Sequence, residues 1–437
     1  MVLLSAANAE NVTIEGPGTI DGQGAKWYTG KGDMTGPGQD SSQGYSQRPH
    51  LVIFYKCQGV RMRDVFLTAS AYHCVRILQC RQVKFDGVRI HNRVNKNNDG
   101  FHFNNCEYVH IANCDVACQD DACALFGSNK FVTVTNSTFS TRWACFRFGG
   151  GEPENITISN CVIYETYGCA IKIRMGRGSR MENVTFSNLI LKDVTGPISI
   201  GLGGASRRPN ATSANNTPRP PGIVRNLRFE GIRATVVAEG RQHADLSDTS
   251  KFRDGERRTC IVVNGAGDDF IENVTFSDVH VTYAGGGTLE DAQRVVGPIA
   301  GEYFEIGTPK VGDTPEAYGP PPAYGLYARR VRGLTLDNVR FEVAAPDLRP
   351  AIVFDHVEDA ALFGVSMQGT PEAESLLKVT NTKDVLLASC RVLTPAASFL
   401  RVEGTSNANL KIEGGDLTKV KAKTAFGAGA AETAVVG

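Results

Sequence analysis

YVHIANCDV at residues 108–116 is followed by FVTVTNSTF at 131–139 and NITISNCVI at 155–163, and these near-copies decide the fold. Each alternates apolar and polar residues, the period of a β-strand whose two faces meet different surroundings. Each then turns and starts a second short strand. The unit recurs upstream as NVTIEGPGTI (11–20), GVRMRDVFL (59–67) and QVKFDGVRI (82–90). Downstream it recurs as NVTFSNLIL (183–191), NLRFEGIRA (226–234), NVTFSDVHV (273–281), GLTLDNVRF (333–341), DVLLASCRV (384–392) and NLKIEGGDL (409–417). Aligned on the first valine-like position, Val60, Val83, Val109, Val132 and Ile156 lie 23, 26, 23 and 24 residues apart. That period is too short for a propeller blade or a helical-pair repeat and suits one coil of a parallel β-solenoid.

In such a coil each strand pairs with its counterpart about 4.8 Å away, so inward residues stack like on like. The repeated Asn-Val/Ile-Thr follows: asparagine tolerates a left-handed turn, and the next apolar residue enters the core. Sequons such as those at Asn155 and Asn183 therefore read as turns rather than glycosylation signals. Helical patterning is nearly absent, apart from one short turn expected in EDAQRVV near residue 290. The chain reads as one continuous all-β domain, residues 1–437, with loop excursions near 203–222 and 301–324.

Charge excludes several classes. Lys plus Arg and Asp plus Glu are both 46, so the net charge is zero and only a local basic patch could bind nucleic acid. No apolar run reaches a membrane span of about 18–20 residues. MVLLSAANAE has neither a basic leader nor an apolar stretch long enough for a secretory signal, and reads as a strand. The twelve cysteines contain no Cys-x-x-Cys pair, so most are expected to be buried core thiols rather than a disulfide frame or a metal site.

Against this background VACQDDACALFG (116–127) is anomalous, because it sets two carboxylates among core residues. Asp99, in NKNNDGFHF, precedes Asp120 by 21 residues and Asp121 by 22, one coil length. Asp99 and Asp121 are thus expected one above the other, with Asp120 beside them. Like charges that close push at least one carboxyl upward in pKa, leaving an acid beside ionised partners. Glycoside hydrolysis uses such a set, one carboxyl to protonate the leaving oxygen and another to activate water or attack the sugar.

At these residues the sequence resembles glycoside hydrolase family 28, the polygalacturonase and rhamnogalacturonase group. Asn97-Asn98-Asp99 is similar to the family's Asn-Thr-Asp segment, Asp120-Asp121 matches its Asp-Asp pair, and GTIDGQG (18–24) is similar to a further family signature. Lys172 and Arg174, in AIKIRMG, stand where the family has Arg-Ile-Lys, with the cations exchanged. The resemblance implies a single-stranded right-handed parallel β-helix and inverting hydrolysis of pectic polysaccharides or oligosaccharides, with no metal or other cofactor. Asp120 would be the general acid, and Asp99 and Asp121 would hold and deprotonate the attacking water. Asn97, Arg142, Lys172 and Arg174 would contact substrate, the cations suiting sugars that carry carboxylates. It further implies a secreted or periplasmic protein, although no signal peptide is visible, and an amino-terminal cap missing before Met1.

The chain departs from the family where Gly-His-Gly is expected: it reads STRWACFRFGGG (140–151), with no histidine between His110 and His243. Arg142 or Arg147 is the candidate cation there, and Trp143 a candidate aromatic face. His102 reads as a satisfied strand histidine, with a groove position as the alternative. The departure and the loop excursions shift the expected action from endo- to exo-hydrolysis. A calcium-dependent pectic lyase and a non-catalytic carbohydrate-binding β-helix are the alternatives, the spacing agreeing better with the hydrolase.

Overall fold

The computed structural model describes residues 1–27, 48–95, 97–203, 220–238, 259–294 and 320–436. The expected loop excursions fall largely outside these residues. Packing divides the chain into two compact units. The first contains the described residues of Met1–Lys172 together with Asn188–Val194, and the second contains Ile173–Ser187 and most of the chain from Thr195 onward.

Both units are parallel β-coils, the all-β, right-handed parallel β-helix class that the repeat and the resemblance predict. In the first, Val2–Ala7, His50–Tyr55, Val75–Leu78, Phe101–Asn104, Cys123–Phe126 and Ala144–Gly149 form one parallel ladder. A second ladder joins Gln58–Arg63, Arg81–Asp86, Glu107–Ala112, Lys130–Thr135 and Glu154–Tyr164. Its register pairs Val60 with Val83, Val109, Val132 and Ile156 in turn, the positions aligned from sequence. All five are 0–1% exposed, so the core is a column of matched β-branched residues.

The residue before each of these core positions is left-handed: Gly59, Gln82, Tyr108, Phe131 and Asn155 have φ between 54° and 72°. Tyr108 and Phe131 break the small-residue rule, and both rings are partly exposed. Their strain is offset by stacking at 5.0 Å and 8°, with the Arg81 guanidinium 5.5 Å above Tyr108. All twelve cysteines are buried, as expected of core thiols.

The second unit repeats the plan. Phe186, Phe229 and Phe276 stack at 5.1 and 5.0 Å. Asn183, Asn226 and Asn273 are left-handed, and their side-chain amides bond in a ladder at 3.2 Å. The turn near residue 290 is the short helix Leu289–Ala292, opened by a Thr288 cap that accepts from the Asp291 amide. A buried fork, Arg349 on Asp347 at 2.8–2.9 Å, ties the segment after Val343 to Gly287.

Candidate active site

The acidic residues lie immediately before two neighbouring strands of the first ladder. The register Val52–Val75–Phe101–Cys123 carries back two residues to place His50, His73, Asp99 and Asp121 in one column. Backbone bonds run along it from Leu51 N to His73 O, from Cys74 N to Asp99 O and from Gly100 N to Asp121 O, at 3.2, 3.0 and 2.9 Å. Asp120 is the adjacent residue. The structure therefore brings Asp99, Asp120 and Asp121 together, with Asp99 one coil from Asp121. A parallel column along the strand holds Ile53, Arg76, His102, Ala124 and Arg147.

The turn carrying Asp99 is set by asparagines. Asn98 Oδ1 accepts from the amides of Val94 and Asn95, and its Nδ2 donates to the carbonyls of Ser70 and Tyr72 at 3.0 and 2.8 Å. Asn92 Nδ2 donates to Asp99 O at 3.0 Å while its Oδ1 accepts from Ser70 N. Gly100 is required by close approach, since a Cβ there would lie 2.4 Å from Ala122 O. Gly24, the last residue of GTIDGQG, is pressed still closer, its position for a Cβ lying 2.2 Å from Ser70 O, and its carbonyl accepts from Asn95 Nδ2. That motif thus serves the site by bracing the turn.

Asp99 and Asp121 are buried, at 4% and 6% exposure, whereas Asp120 is partly open. Burial raises all three carboxyls above the usual range, and Asp120 adds repulsion to each of the others. Asp120 is relieved by two donors: its Oδ1 accepts from Asp121 N at 2.9 Å and its Oδ2 from Asn97 Nδ2 at 3.2 Å. Asp121 Oδ1 is buried and has no hydrogen-bond partner. The set therefore offers a partly accessible carboxyl next to a buried pair, with all three shifted toward their protonated forms.

Of the expected substrate contacts, Asn97 is at the site and is itself held by Arg48, whose Nη2 donates to Asn97 Oδ1 at 3.0 Å. Lys172 is buried with its ammonium 5.0 Å from the Trp143 ring, close enough to favour the charged forms of Asp120 and Asp121. Arg142 is buried and donates to Tyr167 O at 3.1 Å, so it secures backbone. Arg147 is half-buried, lies 5.6 Å over the Phe126 ring and favours the charged form of Asp121. Arg174 lies in the second unit, where its guanidinium binds Ser199 O and Oγ at 2.9 and 2.8 Å.

His102 is satisfied, but by the acidic cluster: its Nδ1 is 2.6 Å from Asp99 Oδ2. His73 Nε2 is 3.7 Å from the same oxygen, and the two imidazoles stack at 4.4 Å and 16°. The ligand-type atoms of His73, Asp99 and His102 lie within 4.8 Å of one another. Two ligands of one tetrahedral ion with bonds of about 2.0–2.1 Å would stand roughly 3.3 Å apart. The 2.6 Å contact has the length of a hydrogen bond instead. His73 and Arg76 escaped the sequence reading, yet each lies 26 residues before its column partner, Asp99 or His102, a spacing already present between Val83 and Val109.

Parallel β-coils with a carboxylate-lined face define the class. Residues 1–295 match the glycosyl hydrolases family 28, and the chain belongs to that family. It is 24% identical to a probable polygalacturonase of Arabidopsis thaliana over 60% of this chain and 59% of the relative. It is 23% identical to Polygalacturonase-2 of Solanum lycopersicum, over 53% and 50%, and 23% identical to a polygalacturonase of Fusarium fujikuroi, over 53% and 65%. The chain thus spans half to two thirds of the length of these relatives. Among solved structures, the family 28 exopolygalacturonase of Yersinia enterocolitica shares the fold, with a TM-score of 0.51, 16% identity and coverage of 80% of this chain and 60% of that one. No helix among the described residues is long and apolar enough to cross a membrane.

Proposed function

We propose that the protein is an inverting glycosidase acting on pectic polysaccharides or oligosaccharides of the galacturonan or rhamnogalacturonan type. Asp120 protonates the leaving oxygen while Asp99 and Asp121 deprotonate a water on the opposite face of the sugar. The observation that carries this reading is the stacking of Asp99 on Asp121 with the more exposed Asp120 beside them. The column Arg76–His102–Ala124–Arg147 supports an acidic substrate: the small Ala124 has the Arg147 guanidinium one coil after it, and His102 and then Arg76 one and two coils before it. Cations so placed meet uronate carboxylates in charge-assisted hydrogen bonds. Lys172, beside Trp143, adds a third positive charge at this face.

We further propose exo action, suggested by STRWACFRFGGG standing where the family has Gly-His-Gly, and a secreted or periplasmic location, suggested by the family. Homogalacturonan, both rhamnogalacturonans and their oligomers should be offered in turn, with product anomers followed by proton NMR. The expected result is an inverted anomer released from chain ends, and no turnover by Asp120→Asn. A retained anomer, ultraviolet-absorbing unsaturated ends, or full activity of Asp120→Asn would each overturn the assignment.

A further inference from the structure

Asp99 poses a problem that the proposed mechanism leaves open. A base must be ionised before the water arrives, yet Asp99 is 4% exposed and faces two other carboxyls. Ionisation there needs a nearby hydrogen-bond donor, and His102 Nδ1, 2.6 Å away, is placed to be one. We propose that His102 is a positioning residue: its Nδ1–H binds Asp99 Oδ2, keeps that carboxylate ionised and leaves Oδ1 to take the proton of the attacking water. This rests on the assignment of Asp99 as a base.

The surroundings fit a ring held in one orientation. His102 is sandwiched between His73, stacked at 4.4 Å, and Phe126, at 5.3 Å. His73 is in turn stacked on Tyr72 at 4.1 Å, and His50 packs against both at 4.8 and 5.0 Å. The brace is therefore a run of rings from successive coils, which denies His102 the rotation that would break its bond to Asp99. Arg76 stands one coil before His102 and Ala124 one coil after.

The charged groups around the pair act in opposing directions. Arg76, on the preceding strand, favours ionised Asp99 and opposes a charge on His102. Asp120 and Asp121, from the following coil, favour a charged His102, while Asp120 opposes ionised Asp99. Beyond them lie Arg147 and Lys172, which act on Asp121, and Arg48, which acts on Asp120. The neighbouring His73 and His50 are held neutral by burial and cation repulsion, and Cys74 and Cys118 are buried thiols. Burial and Arg76 bring His102 itself down to about 4, so at neutral pH it is an uncharged imidazole able to donate one N–H.

The test compares wild type, His102→Leu, His102→Asn and Asp99→Asn on polygalacturonate. Loss of the donor leaves Asp99 protonated to higher pH, so in His102→Leu the acidic limb of kcat/KM should move up by about one unit, a tenfold loss on that limb. His102→Asn, which offers an amide N–H near the position of Nδ1, should recover part of the shift. An acidic limb that stays in place in His102→Leu, whatever the overall rate, overturns the proposal. Nitrogen-15 NMR of His102 in the wild type and in Asp99→Asn provides a readout independent of turnover. The Nδ1-protonated tautomer should be present in the wild type and be lost or mixed in the variant, and an identical pattern in both also overturns it. An inactive Asp99→Asn with an unmoved His102→Leu limb sinks this inference alone, whereas a fully active Asp99→Asn sinks the underlying assignment.

Discussion

Replacing Asn97 tests the role of Asp120 most directly. Its Nδ2 donates to Asp120 Oδ2 at 3.2 Å, and Arg48 Nη2 holds its oxygen at 3.0 Å, so the amide cannot flip without losing both contacts. A donor in this position stabilises the ionised carboxylate more than the neutral acid, and a hydrogen bond to a charged group contributes about 1.5–3 kcal/mol. Asp120 is partly exposed, so the lower value applies; about 1.5 kcal/mol corresponds to roughly one pH unit. The sign is definite. Asn97→Ala removes support for the anion, so the carboxyl keeps its proton to higher pH. A general acid works while protonated, and the alkaline limb of kcat/KM is therefore expected to rise by about one unit. The assay is initial-rate release of reducing sugar from polygalacturonate, well below KM, from acid to mildly alkaline pH. An alkaline limb that stays still or moves down would refute the link between Asn97 and the acid, and a uniform drop at every pH would make Asn97 a packing residue only.

Asp121→Asn should abolish turnover yet raise Tm near pH 7. Burial puts the native carboxyl far above its unfolded value, so native stability is full below the unfolded pKa and declines as pH rises toward the folded one. The gain in the variant should vanish near pH 4, and calorimetry showing a lower Tm at pH 7 would contradict this. In the second unit, Asp347→Ala strands the buried Arg349 guanidinium and is expected to cost about 3–5 kcal/mol in urea unfolding, most of it recovered by adding Arg349→Met. If Asp347→Ala unfolds at the wild-type midpoint, the fork carries no such energy. Asn155→Val forces a β-branched residue to φ 58° and should lose about 1–2 kcal/mol, while Asn155→Gly should stay within several tenths.

The sequence exposed the columns because a parallel coil turns separation along the chain into position across the ladder. Val60 to Ile156 stack because only matched apolar residues fill successive coils without voids, and that regularity is written in the spacing. Asp99 and Asp121 obey the same arithmetic, and so do His73 and Arg76, once the coil between Val83 and Val109 is taken as 26 residues. The direction of a long side chain follows no such rule. Lys172 and Arg174 alternate onto the same face of their strand, yet Ser199 offers the Arg174 fork two acceptors and engages it, while Lys172 rests beside Trp143. Arg142 likewise satisfies the Tyr167 carbonyl. Arg48 reaches Asn97 from a segment outside the repeat, so no spacing announces it. Tyr108 and Phe131 show the local turn rule yielding to a neighbour: each is a poor left-handed residue alone, and ring stacking across one coil makes the pair tolerable. Period therefore determines which residues become neighbours in the ladder, while acceptors and rings in the adjoining coil decide what those neighbours do. For this reason the acidic trio was readable from spacing, and the hydrogen bond between His102 and Asp99 became visible only with the side chains in place.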